Sequence, residues 1–166
     1  GSTRPLSFER APGLSILVME DFRGIDLRVF ARRNQMALDS FFTLALGIVS
    51  GLSEIHDAML IHQDIKPPNI LVSPDDLRVQ IIDFSIATKL TRREPSLRDI
   101  QHLKGTPAYI APEQTGAMNR SLDYRCDLYS LGATFYYMLT GRPPFRRKGL
   151  WDYVRAHIAE TPVTLS

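Results

Sequence analysis

The segment from Ile61 to Leu71, I-H-Q-D-I-K-P-P-N-I-L, constrains the fold more than any other stretch. Pro67 and Pro68 fix φ and remove two amide donors, which keeps this segment out of a helix interior. The apolar residues on either side read as short strands, so a stiff loop lies between them. That loop brings Asp64, Lys66 and Asn69 close together. A carboxylate takes a hydroxyl proton, an ammonium offsets anionic charge, and a carboxamide oxygen binds a hard cation such as Mg²⁺. The set suits movement of a phosphoryl group. The plain alternative is a polar turn with a proline stop.

Two further segments decide between these readings. Val79 to Ile82 is an apolar strand that delivers a carboxylate at its end, in Asp83-Phe84-Ser85. Residues 105–113 read G-T-P-A-Y-I-A-P-E. In order and in spacing, the three segments resemble the catalytic loop, the metal-binding loop and the activation-segment end of the protein kinases. Lys66 two residues after Asp64, and Thr106 after a glycine, resemble the serine/threonine class of that family.

The resemblance implies an α+β fold: a protein-kinase-like C-terminal lobe, mostly helical with short β-hairpins. It makes residues 1–166 a partial kinase domain, from the hinge through most of the C-lobe. The catalytic loop is then 62–69 and the activation segment 83–113. Asp64 is implied as the base, Lys66 as the stabiliser of the moving γ-phosphoryl, and Thr106 as the hydroxyl that bridges them. Asn69 and Asp83 are implied as ligands of Mg²⁺ on ATP. Leu14 to Glu20 resembles the strand entering the hinge. Met19 then stands behind the adenine, the backbones of Glu20 and Phe22 meet its edge, Asp26 reaches the ribose, and Leu71 forms the floor. His62 is implied as an architectural residue behind the metal-binding loop, and Asp127 as an acceptor for catalytic-loop amides.

Composition sets the remaining bounds. The chain has 166 residues, 44% hydrophobic and 23% charged, enough for one core. A net charge of +2 gives no argument for nucleic acid. The nearly apolar run Phe41 to Leu52 is too short to span a bilayer, so no membrane span is expected. A single cysteine, Cys126, excludes an internal disulfide and fits a reducing, cytoplasmic setting.

Along the chain, residues 1–13 read as loop or a weak edge. From Leu38, apolar residues at 38, 41, 42, 45, 48, 49, 52, 55 and 59 have helical spacing, with Asn34 or Asp39 as candidate caps. His56 on that face reads as a packed histidine. Residues 87–104 read as a polar, mobile activation segment with Thr88, Thr91 and Ser96 as candidate phosphorylation sites. Residues 114–125 read as a polar connector. It is similar to a bacterial subgroup in which a kinase domain begins a very large sensor protein. A helix is expected from Asp127 to Leu139, and a shorter one from Leu150 to Ile158. Arg142, Arg146, Arg147 and Lys148 read as a solvated basic face.

Several departures from the family pattern carry expectations. Gln63 stands where many kinases place an arginine that answers an activation-segment phosphate. Activity is therefore expected not to require that phosphate. Ser85 stands in place of a glycine, which narrows the backbone range there. The Arg partner expected for Glu113 is not identifiable. No G-x-G-x-x-G occurs and no lysine precedes Lys66. The N-lobe is thus expected to be absent, with this chain alone inactive and the missing lobe or further domains of a parent protein as partners. The expected function is ATP-dependent transfer to Ser/Thr hydroxyls of a protein substrate within a complete domain. The alternative is a pseudokinase or kinase-derived interaction module.

Overall fold

The computed structural model describes residues 21–33, 36–89, 105–118 and 120–164 in full, and residues 5–11 and 14–19 by their backbone. Strand β1 (Pro5–Ala11) pairs antiparallel with β2 (Leu14–Met19), so part of the stretch read as loop or weak edge is a full strand. A short strand β3 (Ile25–Asp26) runs directly into helix α1 (Leu27–Arg33). Asp26 caps that helix: its Oδ1 accepts the Val29 amide at 2.9 Å.

Helix α2 (Leu38–Asp57) follows the apolar period, with Leu44, Ile48, Leu52 and Ile55 buried. Neither sequence-expected cap is seen. The N-cap is Ala37, without a side-chain bond; Asp39 falls in the first turn, and Asn34 lies outside the described residues. At 20 residues, α2 is longer than the apolar run counted in the sequence. By length and composition alone it is long and apolar enough to cross a membrane, although one of its faces lies in the core.

Strand β4 (Leu60–Ile61) leads into the catalytic segment, which closes with a 3-10 turn at Pro67–Asn69. The hairpin of β5 (Ile70–Val72) and β6 (Val79–Ile81) follows, with β3 on the other side of β5. Its register sets Ile70 opposite Ile81 and Leu71 opposite Gln80. Helix α2 lies close against β6. A Cβ on Gly47 would come 2.7 Å from a Val79 methyl, so this contact needs a glycine. Strand β7 (Thr88–Lys89) pairs with β4. The start of the segment read as mobile is therefore ordered strand; Thr91 and Ser96 lie outside the described residues.

Helix α3 (Arg125–Thr140) begins two residues earlier than expected and stops at Gly141, which adopts φ 69° and donates its amide to Tyr137 O. Helix α4 (Leu150–Ala159) buries Val154, Ala156 and His157. The main core gathers Leu27, Phe30, Leu44, Ile48, Leu52, Ile65, Ile70, Val72, Ile81 and Met138 from α1, α2, α3, the hairpin and the catalytic segment. Ile65, between Asp64 and Lys66, is fully buried in it. The loop that carries the polar residues is thus pinned from beneath by its own apolar residue.

Candidate active site

The site is built on the Ile61–Asn69 segment, and α3 shapes it. Asp127, fully buried, accepts the His62 amide at 2.9 Å and the Gln63 amide at 2.7 Å. His56 Nε2 lies 2.9 Å from the same carboxylate. His56 is therefore a partner of Asp127, beyond the packed histidine expected from its place on the helix. These acceptors hold Gln63 at φ 67°, a left-handed conformation unfavourable to a residue with a side chain. The Gln63 carbonyl takes a bond from Gln114 Nε2 at 2.8 Å, and its own amide group donates to Thr88 Oγ1 at 2.6 Å. Gln114 also accepts the Ala111 amide at 3.0 Å, so part of the stretch read as connector braces the site.

Beyond Gln63 the polar residues converge. Lys66 Nζ donates to Asp64 Oδ2 at 2.6 Å and to Thr106 Oγ1 at 2.7 Å. Thr106 donates in turn to Asp64 Oδ1 at 2.9 Å, closing a three-membered ring of side chains. Asn69 Nδ2 donates to the Asp64 carbonyl at 2.9 Å and to Oδ2 at 3.0 Å. Thr106 arrives from 40 residues away. Gly105 permits this, with φ 108° and only 3.2 Å between a notional Cβ and the Gln63 carbonyl. Asp64, Lys66, Asn69 and Thr106 are thus brought together.

Asp83 stands apart from that ring. It is exposed, at φ 69°, and its Oδ1 accepts the Ser85 amide at 3.3 Å. The Ser85 hydroxyl, more than any other cause, lowers its pKa, so the carboxylate is ionised. His62 ties this loop to the catalytic one. Its Nε2–H donates to Ile82 O at 3.1 Å, its Nδ1 accepts the Asp64 amide at 3.2 Å, and its ring meets Phe84 at 5.0 Å. The bond accepted at Nδ1 requires the neutral ring, and burial lowers its pKa accordingly.

The donor set fits a hard cation. Asn69 spends its NH₂ on Asp64 and keeps Oδ1, and Asp83 offers an ionised carboxylate. Mg²⁺ takes one or two carboxylates plus phosphate and water, without a larger cage of protein ligands.

Of the residues implied at the nucleotide, Leu71 is half-buried and opposite Asp26 in the β3–β5 register. Phe22 is half-buried in the 21–24 loop, and the carboxylate of Asp26 is engaged with α1. Met19 ends β2; its side chain and all of Glu20 lie outside the described residues. Glu113 lines a cleft of about 490 Å³ with Arg120, Ser121, Asp123 and Arg125, and makes no ion pair among the described residues. Cys126 is buried, and burial pushes its thiol pKa up, which fits an inert residue.

The family model for the protein kinase domain matches residues 6–164. The chain belongs to the protein kinase family. Its helices and small sheets fit the kinase fold. It is 36% identical over 151 residues to a probable serine/threonine-protein kinase PknB of Bifidobacterium longum, covering 90% of this chain and 21% of that protein. It is 34% identical over 156 residues to the serine/threonine-protein kinase pkn3 of Myxococcus xanthus, covering 90% and 28%. To PknB of Mycobacterium tuberculosis the identity is 32% over 151 residues, covering 90% and 24%. The resemblance is to serine/threonine kinases, and this kinase chain spans 21–28% of the length of those three relatives.

Sequence reasoning missed Gln114, Thr88 and His56 as parts of the site. For His56 the helical period gave only a face, since its partner is 71 residues away.

Proposed function

We propose that this chain carries the acceptor side of a serine/threonine kinase site, which transfers the γ-phosphoryl of ATP to a Ser or Thr hydroxyl of a protein substrate. The observation that carries the reading is the closed ring of Asp64, Lys66 and Thr106. Asp64 accepts the proton of the incoming hydroxyl. Lys66 neutralises charge where the phosphoryl group moves. Thr106 fixes both against the segment on which the acceptor lies. Such a site acts by positioning and charge compensation, with little covalent chemistry from the protein. Mg²⁺, held by Asn69 Oδ1 and Asp83, would supply neutralisation of the ATP phosphates. The adenine would lie between the hinge, at Met19 to Phe22, and Leu71, with Asp26 towards the ribose.

We assign turnover to the complete domain, in which a glycine-rich phosphate loop and a strand lysine stand with these residues. No G-x-G-x-x-G occurs within 1–166, and no lysine precedes Lys66. The cytoplasm, where ATP is plentiful and thiols stay reduced, is the proposed setting. The test is transfer from ATP to a generic Ser/Thr protein by the complete domain, wild type against Asp64→Ala. Loss of transfer in the variant supports the reading. Equal transfer by both, or none by the wild type in the presence of Mg²⁺, would leave the interaction-module alternative.

A further inference from the structure

Two guanidinium groups stand beside the acceptor side of the site. Arg28 and Arg32 are one turn apart on α1 and both are exposed. The same helix buries Leu27 and Phe30 and packs on the Pro67–Asn69 turn, whose Asn69 binds Asp64. Arg28 approaches Asp26 only to 3.9 Å, and Asp26 Oδ1 already accepts the Val29 amide. Arg32 makes no ion pair among the described residues.

Another wall is the segment after Thr106. The Tyr109 amide donates to the Thr106 carbonyl at 2.9 Å, so this ring sits one turn from the catalytic hydroxyl. Tyr109 packs on Tyr137 of α3, with ring centroids 6.4 Å apart. The Tyr137 hydroxyl is buried without a hydrogen-bond partner among the described residues. Burial, and then Tyr137, push the Tyr109 hydroxyl pKa up; Arg28 and Arg32 act against that, so both cations lie within electrostatic reach of the phenol. Pro68 adds an uncharged surface between Lys66 and Asn69. The nearby carboxylates, Asp26 and Asp64, are each already engaged. Among the described residues, the unmatched charge beside the acceptor is therefore positive.

We propose that Arg28 and Arg32 form an anion-reading subsite, so that the preferred protein substrate carries Asp or Glu close to its acceptor Ser or Thr. This deepens the phosphoryl-transfer reading and rests on it. Because both guanidiniums are exposed, each acidic residue read should change affinity by about two- to fivefold. The preference should weaken as salt rises.

The test measures binding of three labelled serine peptides of equal length, acidic, neutral and basic, to the protein containing the complete domain, by fluorescence anisotropy at low and high salt. Transfer from ATP is followed on the same samples. The acidic peptide should bind tightest, R28K/R32K should keep that order, and R28E/R32E should reverse it without a change in melting temperature. Equal binding of the three peptides, no binding of the acidic one, or an acidic preference that survives R28E/R32E would overturn the subsite. Sorting of peptides without transfer would keep the subsite and sink the catalytic reading. Transfer without sorting would do the opposite.

Discussion

Gln63 and Asp83 hold almost the same left-handed backbone, at φ 67° and 69°, yet they are held in different ways. Gln63 is buried. Its amide, carbonyl and side chain are each engaged by a residue 25 to 64 positions away. Asp83 is exposed, and its carboxylate turns back on Ser85, two residues on. A left-handed non-glycine residue costs roughly 1–2 kcal/mol. At Gln63 several long-range bonds of about 1 kcal/mol each offset that cost, whereas at Asp83, among the described residues, local bonds to Ser85 do. The difference teaches that the Asp64 loop is fixed by the fold itself. The Asp83 loop is the softer of the two, and a bound cation would complete its support.

The largest expected effect tests whether the rigid side is the chemical one. Asp64→Ala in the complete domain should lower kcat by about a thousandfold, with KM for ATP little changed. A decrease of less than tenfold in steady-state assays would show that the pre-formed ring is not where the reaction happens. Next in size is Asp127→Ala, which strands two backbone amides and His56. It should lower unfolding free energy by about 3 kcal/mol in urea titrations and speed hydrogen exchange at His62 and Gln63. Unchanged exchange at those amides would mean that the left-handed turn does not depend on α3.

A pair of glycine substitutions tests the comparison directly. Gln63→Gly relieves backbone strain but removes the bond to Thr88, and should cost about 1 kcal/mol. Asp83→Gly should be neutral or stabilising by roughly 0.5 kcal/mol. Equal shifts in the two unfolding curves would erase the contrast. The smallest effect concerns the histidine that joins the loops. The folded protein keeps His62 neutral, because burial lowers its pKa below the ordinary value, while the unfolded chain protonates it near pH 6.5. Below that pH the unfolded state binds more protons, so stability should fall as pH drops through 6.5 towards the lowered folded pKa. His157, also lowered by burial, should add to the same slope. In His62→Asn the slope should be shallower; a slope identical to wild type would place the titration elsewhere.

Much of this was legible because the motifs are short. Asp64, Lys66 and Asn69 lie within six residues, and the apolar residues flanking them declare the strands. The 3.6-residue period of α2 is sustained over its whole length, so the helix could be read, and with it the buried face. The partners of Gln63 could not be read this way. A carboxamide in a polar stretch has no period, and only the fold brings Gln114 and Thr88 to it. The pairing of β4 with β7 was hidden for a similar reason, since two residues are too few for any alternation to show. Helix α1 was missed because its seven residues, rich in arginine, show no clear apolar stripe.

The bond from Asp127 to the catalytic segment also bears on how the protein is made. The amides of His62 and Gln63 wait for a carboxylate 65 and 64 residues further along the chain. During synthesis, which runs from the N-terminus, the segment leaves the ribosome well before the residue that shapes it. Local strands can form in the meantime, but the turn at Gln63 has no acceptor for its amide until α3 has emerged and docked. The turn at Gln63 is therefore translated well before the residue that finishes it.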